Sequence, residues 1–333
     1  MKNKVTVREL AAAATPSVAS VSRALSGAPK VSPELRERIV GLARELGYRG
    51  GKRRKMLGVV LPSLEISTLG SYILSLLDAL RKEIYRRDYQ TVFVSLEDIE
   101  LLNESVIDGV ISFDFLDRIG RAWANLKALP LVCLNDSSSN FDRIYSVSSN
   151  ELQGQRLIVD YLFKRGHRKI GFIKYRNPFQ KKRGGDPREN AFRAAMKEHL
   201  LDPAPYIHLY DTEPEFTTGL GSLLRKGITA VIAADGENHC AHVQGTLQLF
   251  GKRVPEDISI VSWETDHLSE FLIPRQTVLV QNFPLLAARS LDLIEALIRG
   301  EKHVENILVD FRLVERDSVR TIPGSSASSP AGI

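Results

Sequence analysis

The sequence predicts a small all-α three-helix head followed by an α/β body of two Rossmann-like lobes, and three observations predict it. The first is charge. Residues 1–55 hold thirteen Lys/Arg against four Asp/Glu, in a chain whose net charge is only +5, so a basic head sits on a mildly acidic body. The second is a set of three short helical patterns, each with its own start and stop signals, before Tyr48. The third begins at Leu57, where short β-branched runs alternate with amphipathic stretches, the pattern of parallel strands wrapped by helices.

In the head, Thr6-Val7-Arg8-Glu9 has the capping-box spacing, a hydroxyl at the cap and a carboxylate three residues on. A helix over 7–14 follows, stopped by Thr15-Pro16. Ser17 caps a second helix over 18–25, ended by Ser26-Gly27. A third starts at Ser32 with Pro33 in its first position and runs to Leu46, with Gly47 as its left-handed stop. Leu35, Ile39, Leu42, Ala43 and Leu46 recur at helical spacing and supply its core face. Two short helices across a tight turn, packed on a third, make a helix-turn-helix.

The bulk numbers narrow the class. No apolar run approaches the roughly 18 residues that would span a bilayer, and MKNKVTVRELAAAA has no apolar signal core. Only Cys133 and Cys240 occur, too few for a disulfide framework. A cytoplasmic protein is expected, with no membrane partner. A basic head fits a polyanion in general; the motifs inside it choose among polyanions.

VTVRELAAAATPSVASVSRALSG followed by VSPELRERIVGLARELGY resembles the head of the lactose-repressor/galactose-repressor (LacI/GalR) family, most closely at Ser20-Val21-Ser22-Arg23-Ala24-Leu25 and Leu46-Gly47-Tyr48. The resemblance implies that the second helix enters the major groove of double-stranded DNA, with Val18, Ala19 and Arg23 reading bases. Arg23 can donate two bonds to guanine, worth about 1–3 kcal/mol of discrimination. Val18 and Ala19 can only touch thymine methyls, or Val18 instead joins the core. Thr6, Ser17, Ser20 and Ser22 are hydroxyls suited to phosphate contacts that position the head, Ser17 doubling as a cap.

After Tyr48 the chain departs from the family. The usual P-N-x-x-A-R-x-L hinge is replaced by Arg49-Gly50-Gly51-Lys52-Arg53-Arg54-Lys55-Met56, about ten residues shorter, and Gly50-Gly51 disfavours a helix. Lys52, Arg53 and Arg54 are either a solvated linker or non-specific phosphate contacts. The family's leucine wedge in the minor groove has no counterpart, with Met56 or Leu57 the only stand-ins.

In the body, strands are predicted over 57–61, 89–95, 109–113, 131–134, 169–174, 230–234 and 258–263. Helices are predicted over 72–87, 150–165, 188–200, 215–226, 237–250 and 284–299. The chain crosses between lobes near Ser149 and returns near Val280, and a ligand cleft is expected at the carboxyl ends of the strands. No G-x-G-x-x-G follows a strand, so no dinucleotide or other cofactor is expected. Three further segments extend the family resemblance, LFKRGHRKIGFI from Leu162, VPEDISIV from Val254 and VIDGVI from Val106. They imply a periplasmic-binding-protein-like body. Arg188, Asp235, Trp263 and Glu264 then fall at the family's effector positions, with Asp235 and Gly236 replacing its asparagine and aspartate. An arginine, carboxylates and an aromatic suit a sugar or sugar derivative. The alternative is that Asp235 and Glu264 form structural ion pairs with Arg188.

Gly166-His167 reads as a structural turn. His239, Cys240 and His242 lack further ligands at sensible spacing, so no metal is expected. The organisation expected is a DNA-binding head over 1–48, a basic connector over 49–56, an effector-binding and dimerisation body over 57–322 and a disordered tail over 323–333. Together these imply a homodimeric transcription regulator, read as a repressor, on a near-palindromic operator. A secreted solute-binding protein would need a signal peptide. An enzyme with a DNA-binding head would need a P-loop, G-x-S-x-G or metal set, none of which is present. A third variant keeps the family but ties the heads rigidly through the short connector.

Overall fold

The computed structural model describes residues 6–14, 17–25, 31–46, 55–65, 69–103, 107–113, 119–120, 123, 129–134, 144–176, 185–235, 237–264, 267–301 and 303–323. Its contacts divide the chain into two units, residues 1–55 and 56–333.

The head contains α1 (Val7–Ala14), α2 (Val18–Leu25) and α3 (Pro33–Glu45). The capping box at its entrance is formed in both directions. Thr6 N–H donates to Glu9 Oε2 at 2.6 Å and Glu9 N–H to Thr6 Oγ1 at 3.2 Å. Ser17 Oγ accepts from Ser20 N–H at 3.3 Å and Ser32 Oγ from Leu35 N–H at 3.3 Å, so each helix starts on a side-chain cap. Leu10, Ala11, Val21, Ala24, Ile39 and Ala43 form the core. Leu46, expected in that core, is 41% exposed, because it lies past the last residue of α3 and off its inner face.

In the body, the first sheet has the order β11-β5-β4-β3-β1-β2 and the second β12-β10-β9-β8-β6-β7. The first is built from β1 (Lys55–Leu61), β2 (Tyr89–Ser95), β3 (Gly109–Ser112), β4 (Leu131–Leu134), β5 (Ile144–Ser149) and β11 (Ile307–Val309). The second holds β6 (Ile170–Tyr175), β7 (Ile207–Tyr210), β8 (Ala230–Ala233), β9 (Ser259–Glu264), β10 (Thr277–Val280) and β12 (Arg312–Val314). β3, β4, β5 and β11 run parallel to their neighbours, as do β6 to β10, while β12 closes antiparallel on β10.

Helices cover both faces. α4 (Ser71–Arg86) and α9 (Phe283–Ile298) belong to the first lobe. α5 (Glu151–Lys164), α6 (Pro187–Glu198), α7 (Glu213–Arg225) and α8 (Glu237–Leu249) belong to the second. Side chains alternate across each strand, so adjacent residues feed opposite cores. Phe172 and Ile232 pack with α5 and α6, whereas Ile173 and Val231 pack with α7 and α8. In the first lobe Leu57, Val59 and Leu61 face α4 and α9, and Val60 faces Leu102 and Trp123.

The predicted crossings near Ser149 and Val280 are found where β5 leads into α5 and β10 leads into α9. A third crossing, from Val309 to Arg312, escaped the sequence because β11 and β12 have three residues each. The three crossings are stitched side by side. Gln281 Nε2 donates to Ser149 Oγ at 2.6 Å, Asn150 Nδ2 to Asp310 Oδ1 at 2.8 Å, and Gln153 Nε2 to the Phe311 carbonyl at 3.1 Å. β5, β7 and β10 also escaped. Serines interrupt the apolar pattern of β5, and β7 is a four-residue strand at the sheet edge.

Candidate nucleic-acid interface and ligand cleft

α2 presents its outer face to solvent. Val18 is 46% exposed and takes no part in the core; Ala19, Ser22 and Arg23 are also exposed, while Val21 and Ala24 point inward. The core reading of Val18 is therefore set aside. Arg23 Nε donates to the Ala19 carbonyl at 3.2 Å, which lays the side chain along its own helix surface. Thr6 and Ser17 are exposed at the starts of α1 and α2, the positive ends of the two helix dipoles. Lys52, Arg53 and Arg54 lie outside the described residues. The two stand-ins for a minor-groove wedge are not available for it. Leu57 is fully buried, and Met56 is held in β1, its N–H on Asp108 Oδ2 at 2.9 Å.

In the body, Arg188, Asp235, Trp263 and Glu264 all stand at the carboxyl ends of the second sheet or the helix start that follows, but they do not form one cluster. Arg188, in the first turn of α6, donates from Nε to Glu151 Oε1 at 3.1 Å and from Nη1 to the Ala234 carbonyl at 2.8 Å. Its guanidinium lies 4.9 Å from the Trp263 ring centroid. The alternative of ion pairs from Arg188 to Asp235 and Glu264 is corrected: its carboxylate partner is Glu151, at the start of α5. Burial pushes the Glu151 carboxyl above its usual range, against the pull of Arg188.

Asp235 turns the other way. Its Oδ2 accepts from Tyr175 N–H at 2.6 Å, and its Oδ1 lies 3.6 Å from Lys174 Nζ. Lys174 is buried and bonded to Asp186 at 2.7 Å. Asp186 also caps α6, its Oδ1 accepting from Arg188 N–H at 2.8 Å and Glu189 N–H at 3.2 Å. The cap thus sets where Arg188 stands. Glu264 is 4% exposed and is claimed by Ser269 and by Arg316, 3.0 Å from its Oε2.

Among the described residues, Glu151 Oε2 and Trp263 Nε1 are buried here without a hydrogen-bond partner, as is Tyr72 Oη, which has the Gln281 side chain beside it. Tyr72 comes from the first turn of α4 in the first lobe and packs edge-on to Phe283, so these buried polar atoms come from both lobes. Burial raises the Tyr72 hydroxyl far above its ordinary value, keeping it a neutral donor.

Sequence reasoning missed Tyr72, Glu151, Lys174 and Asp186. Lys174 carried a usable signal, a lysine closing an otherwise apolar strand; Tyr72 and Glu151 carried none. His167 is a structural residue, bonded to Thr229 Oγ1 at 2.9 Å and the Arg320 carbonyl at 3.0 Å, after Gly166 at φ 89°. His242 reaches Glu213 at 2.7 Å and His239 faces Asp235. Glu264, His267 and Glu270 converge, but Arg316 already bridges the two glutamates.

A capped helix-turn-helix with an exposed second helix, together with a two-lobed α/β body whose strand ends converge on unmatched polar atoms, defines a DNA-binding regulator. Residues 6–50 match the bacterial regulatory proteins, lacI family, and residues 159–319 match a periplasmic binding protein-like domain. The chain therefore joins a lacI-family regulatory head to a periplasmic binding protein-like body, and its full-length relatives are transcriptional repressors. It is 24% identical to a probable HTH-type transcriptional repressor, ExuR, of Bacillus subtilis (strain 168), over 96% of this chain and 99% of that one. It superposes with a TM-score of 0.73 on a lac repressor dimer bound to operator and the anti-inducer ONPF, at 22% identity, covering 96% of this chain and 100% of that one. A lacI-family regulator from Enterococcus faecium with bound ribose superposes with a TM-score of 0.64, at 22% identity, covering 80% of this chain and 100% of the other. Among the described residues no helix is long and apolar enough to cross a membrane.

Proposed function

We propose that the protein is a homodimeric repressor whose hold on a near-palindromic operator is set by a small sugar or sugar derivative in the cleft. The observation that carries it is the pairing of Arg188 and Trp263 beside unmatched atoms from both lobes. A ligand bonding Tyr72 Oη on one side and Glu151 Oε2 on the other favours a closed arrangement of the lobes. Arg188 Nη2, which takes no carboxylate among the described residues, serves a ligand hydroxyl. Closure at the stitched crossings changes the spacing of the two heads in a dimer, and the coupling of ligand and DNA is reciprocal.

In the head, Arg23 reads guanine, Val18 and Ala19 meet thymine methyls, and Thr6, Ser17, Ser20 and Ser22 hold phosphates. The organisation proposed is a reading head over 1–48, a basic connector over 49–56 with Lys52, Arg53 and Arg54 on the backbone, and a sensing body over 57–322. Self-association is supported by large exposed apolar side chains. Leu249 ends α8, and Phe271 and Ile273 lie on the segment that Gln244 of α8 holds through the Ile273 carbonyl at 2.6 Å.

The test is selection of bound sequences from random duplex DNA by the full chain and by Arg23→Ala. A recovered palindrome whose guanine preference relaxes in the variant supports the reading. Salt-sensitive binding without any motif removes it.

A further inference from the structure

Among the described residues, each cation at the strand ends of the second sheet has a carboxylate partner. Lys174 is bonded to Asp186 at 2.7 Å with Asp235 at 3.6 Å, and Arg188 to Glu151 at 3.1 Å. Arg316 bridges Glu264 at 3.0 Å and Glu270 at 2.9 Å. Arg176 pairs with Asp211 after β6 and β7, so among the described residues the cleft end of the second sheet sets four cations against six carboxylates. His239, beside Asp235, adds no positive charge at neutral pH, because burial lowers it to about 4. The unmatched atoms point the same way. Trp263 Nε1 and Tyr72 Oη offer donors to a hydroxyl, while Glu151 Oε2 is a buried acceptor with no partner.

We propose that the cleft takes an uncharged or aminated sugar and rejects uronates and sugar phosphates, an assignment that rests on the effector reading above. A ligand carboxylate or phosphate would have to face Glu151 and Asp235 with no cation among the described residues that lacks a carboxylate partner. Like charges a few ångströms apart in a partly buried site repel strongly. A ligand hydroxyl meets Glu151 Oε2 as a hydrogen-bond donor, and a ligand ammonium meets it as a counter-ion. Asp235, where the family resemblance led us to expect an asparagine, adds to the bias: its charge lies at the mouth of β8 and is shared between Lys174 and the Tyr175 amide.

The experiment measures binding by calorimetry and thermal shift to the full-length protein, using matched sets of hexoses and pentoses. Each set holds the neutral sugar, its amino sugar, its uronate and its phosphate. Binding confined to the neutral and amino members, with at least about a hundredfold preference over the acidic ones, is expected. Glu151→Gln should narrow that preference about tenfold or more, and Asp235→Asn should do so at a residue nearer solvent. A uronate or phosphate that binds more tightly than its neutral parent overturns the proposal. If that binding disappears when Lys181, Lys182 and Arg183 are replaced together, the anion is held by the segment between β6 and α6, and the proposal is equally overturned. No response to any member also overturns it. Recovery of an operator by the same preparation would then leave the regulator reading standing.

Discussion

The head and the body handle polar side chains in opposite ways. In the head, the polar residues of α2 are exposed, and order comes from the caps: Thr6 with Glu9, Ser17 with Ser20, Ser32 with Leu35. In the body, the polar groups at the strand ends are buried and matched with one another before any ligand arrives, Lys174 with Asp186 and Arg188 with Glu151. On the proposed function the head presents a surface to a rigid, highly charged partner. On the same proposal the body's prearranged network is one in which a ligand completes a few missing bonds, so small differences in ligand chemistry carry large consequences. It follows that damage to the exposed face of α2 should show in DNA binding alone, while damage to the body's network should show first in stability.

The strongest way to break that contrast is Asp186→Ala. It leaves buried Lys174 with Asp235, 3.6 Å away, as its remaining carboxylate and removes the cap of α6, and a loss of about 3 kcal/mol is expected. Chemical denaturation checks this, and Asp186→Asn, which keeps a capping oxygen, should recover part of it. Unchanged stability would mean that the network is not what holds α6. Next comes Arg23→Ala, with about 1–3 kcal/mol of lost base discrimination at one operator position and no change in melting of the body. Titration of labelled duplexes substituted at each position reads it out, and a lowered melting temperature would erase the distinction between the two regions.

A smaller effect separates them by pH. His239 is held neutral by burial, at about 4, among Asp235, His242, Lys174, Glu213, Tyr210 and Phe216. Below its ordinary value of 6.5 the unfolded chain takes up a proton that the folded chain refuses. Stability therefore falls as pH drops from 6.5 towards 4, by on the order of 2 kcal/mol, or roughly 5 °C in melting temperature. His239→Gln should flatten that part of the profile, and an unchanged slope would show that other groups set it. The smallest effect belongs to Thr6→Ala, which removes half of the capping box at a cost of about 1 kcal/mol to helix stability. Circular dichroism of the full chain checks it, with no change expected in ligand affinity.

These regions also differ in how far they could be read from the sequence. The head's logic is local. Capping box, stop signals and reading helix each occupy a few consecutive residues, so Thr6, Ser17 and the exposed face of α2 were visible as written. The body's elements were visible where apolar runs are long, as in β1 and β9. They were lost where strands are short or serine-rich, as in β5 and β11. Arg188 and Trp263 were found through a family pattern, but the partner of Arg188 was not. Glu151 lies 37 positions upstream, across a crossing between lobes, and nothing in its neighbours marks it. Glu264 looked like a ligand contact because of its place after β9, while the arginine that claims it, Arg316, comes from beyond β12. Convergence of strand ends is a property of the fold, and only the fold displays it.

The three stitched crossings bear on how the protein is made. The first lobe receives its core from both ends of the body, with Leu57, Leu76 and Ile111 packed against Leu286, Leu291, Ile294 and Val309. A nascent chain emerging from the ribosome has therefore finished every helix of the second lobe before α9 and β11 arrive to close the first. Until then the inner faces of α4 and β1 stand uncovered, and the lobe begun earliest is the one most exposed to misassembly or to capture by a chaperone.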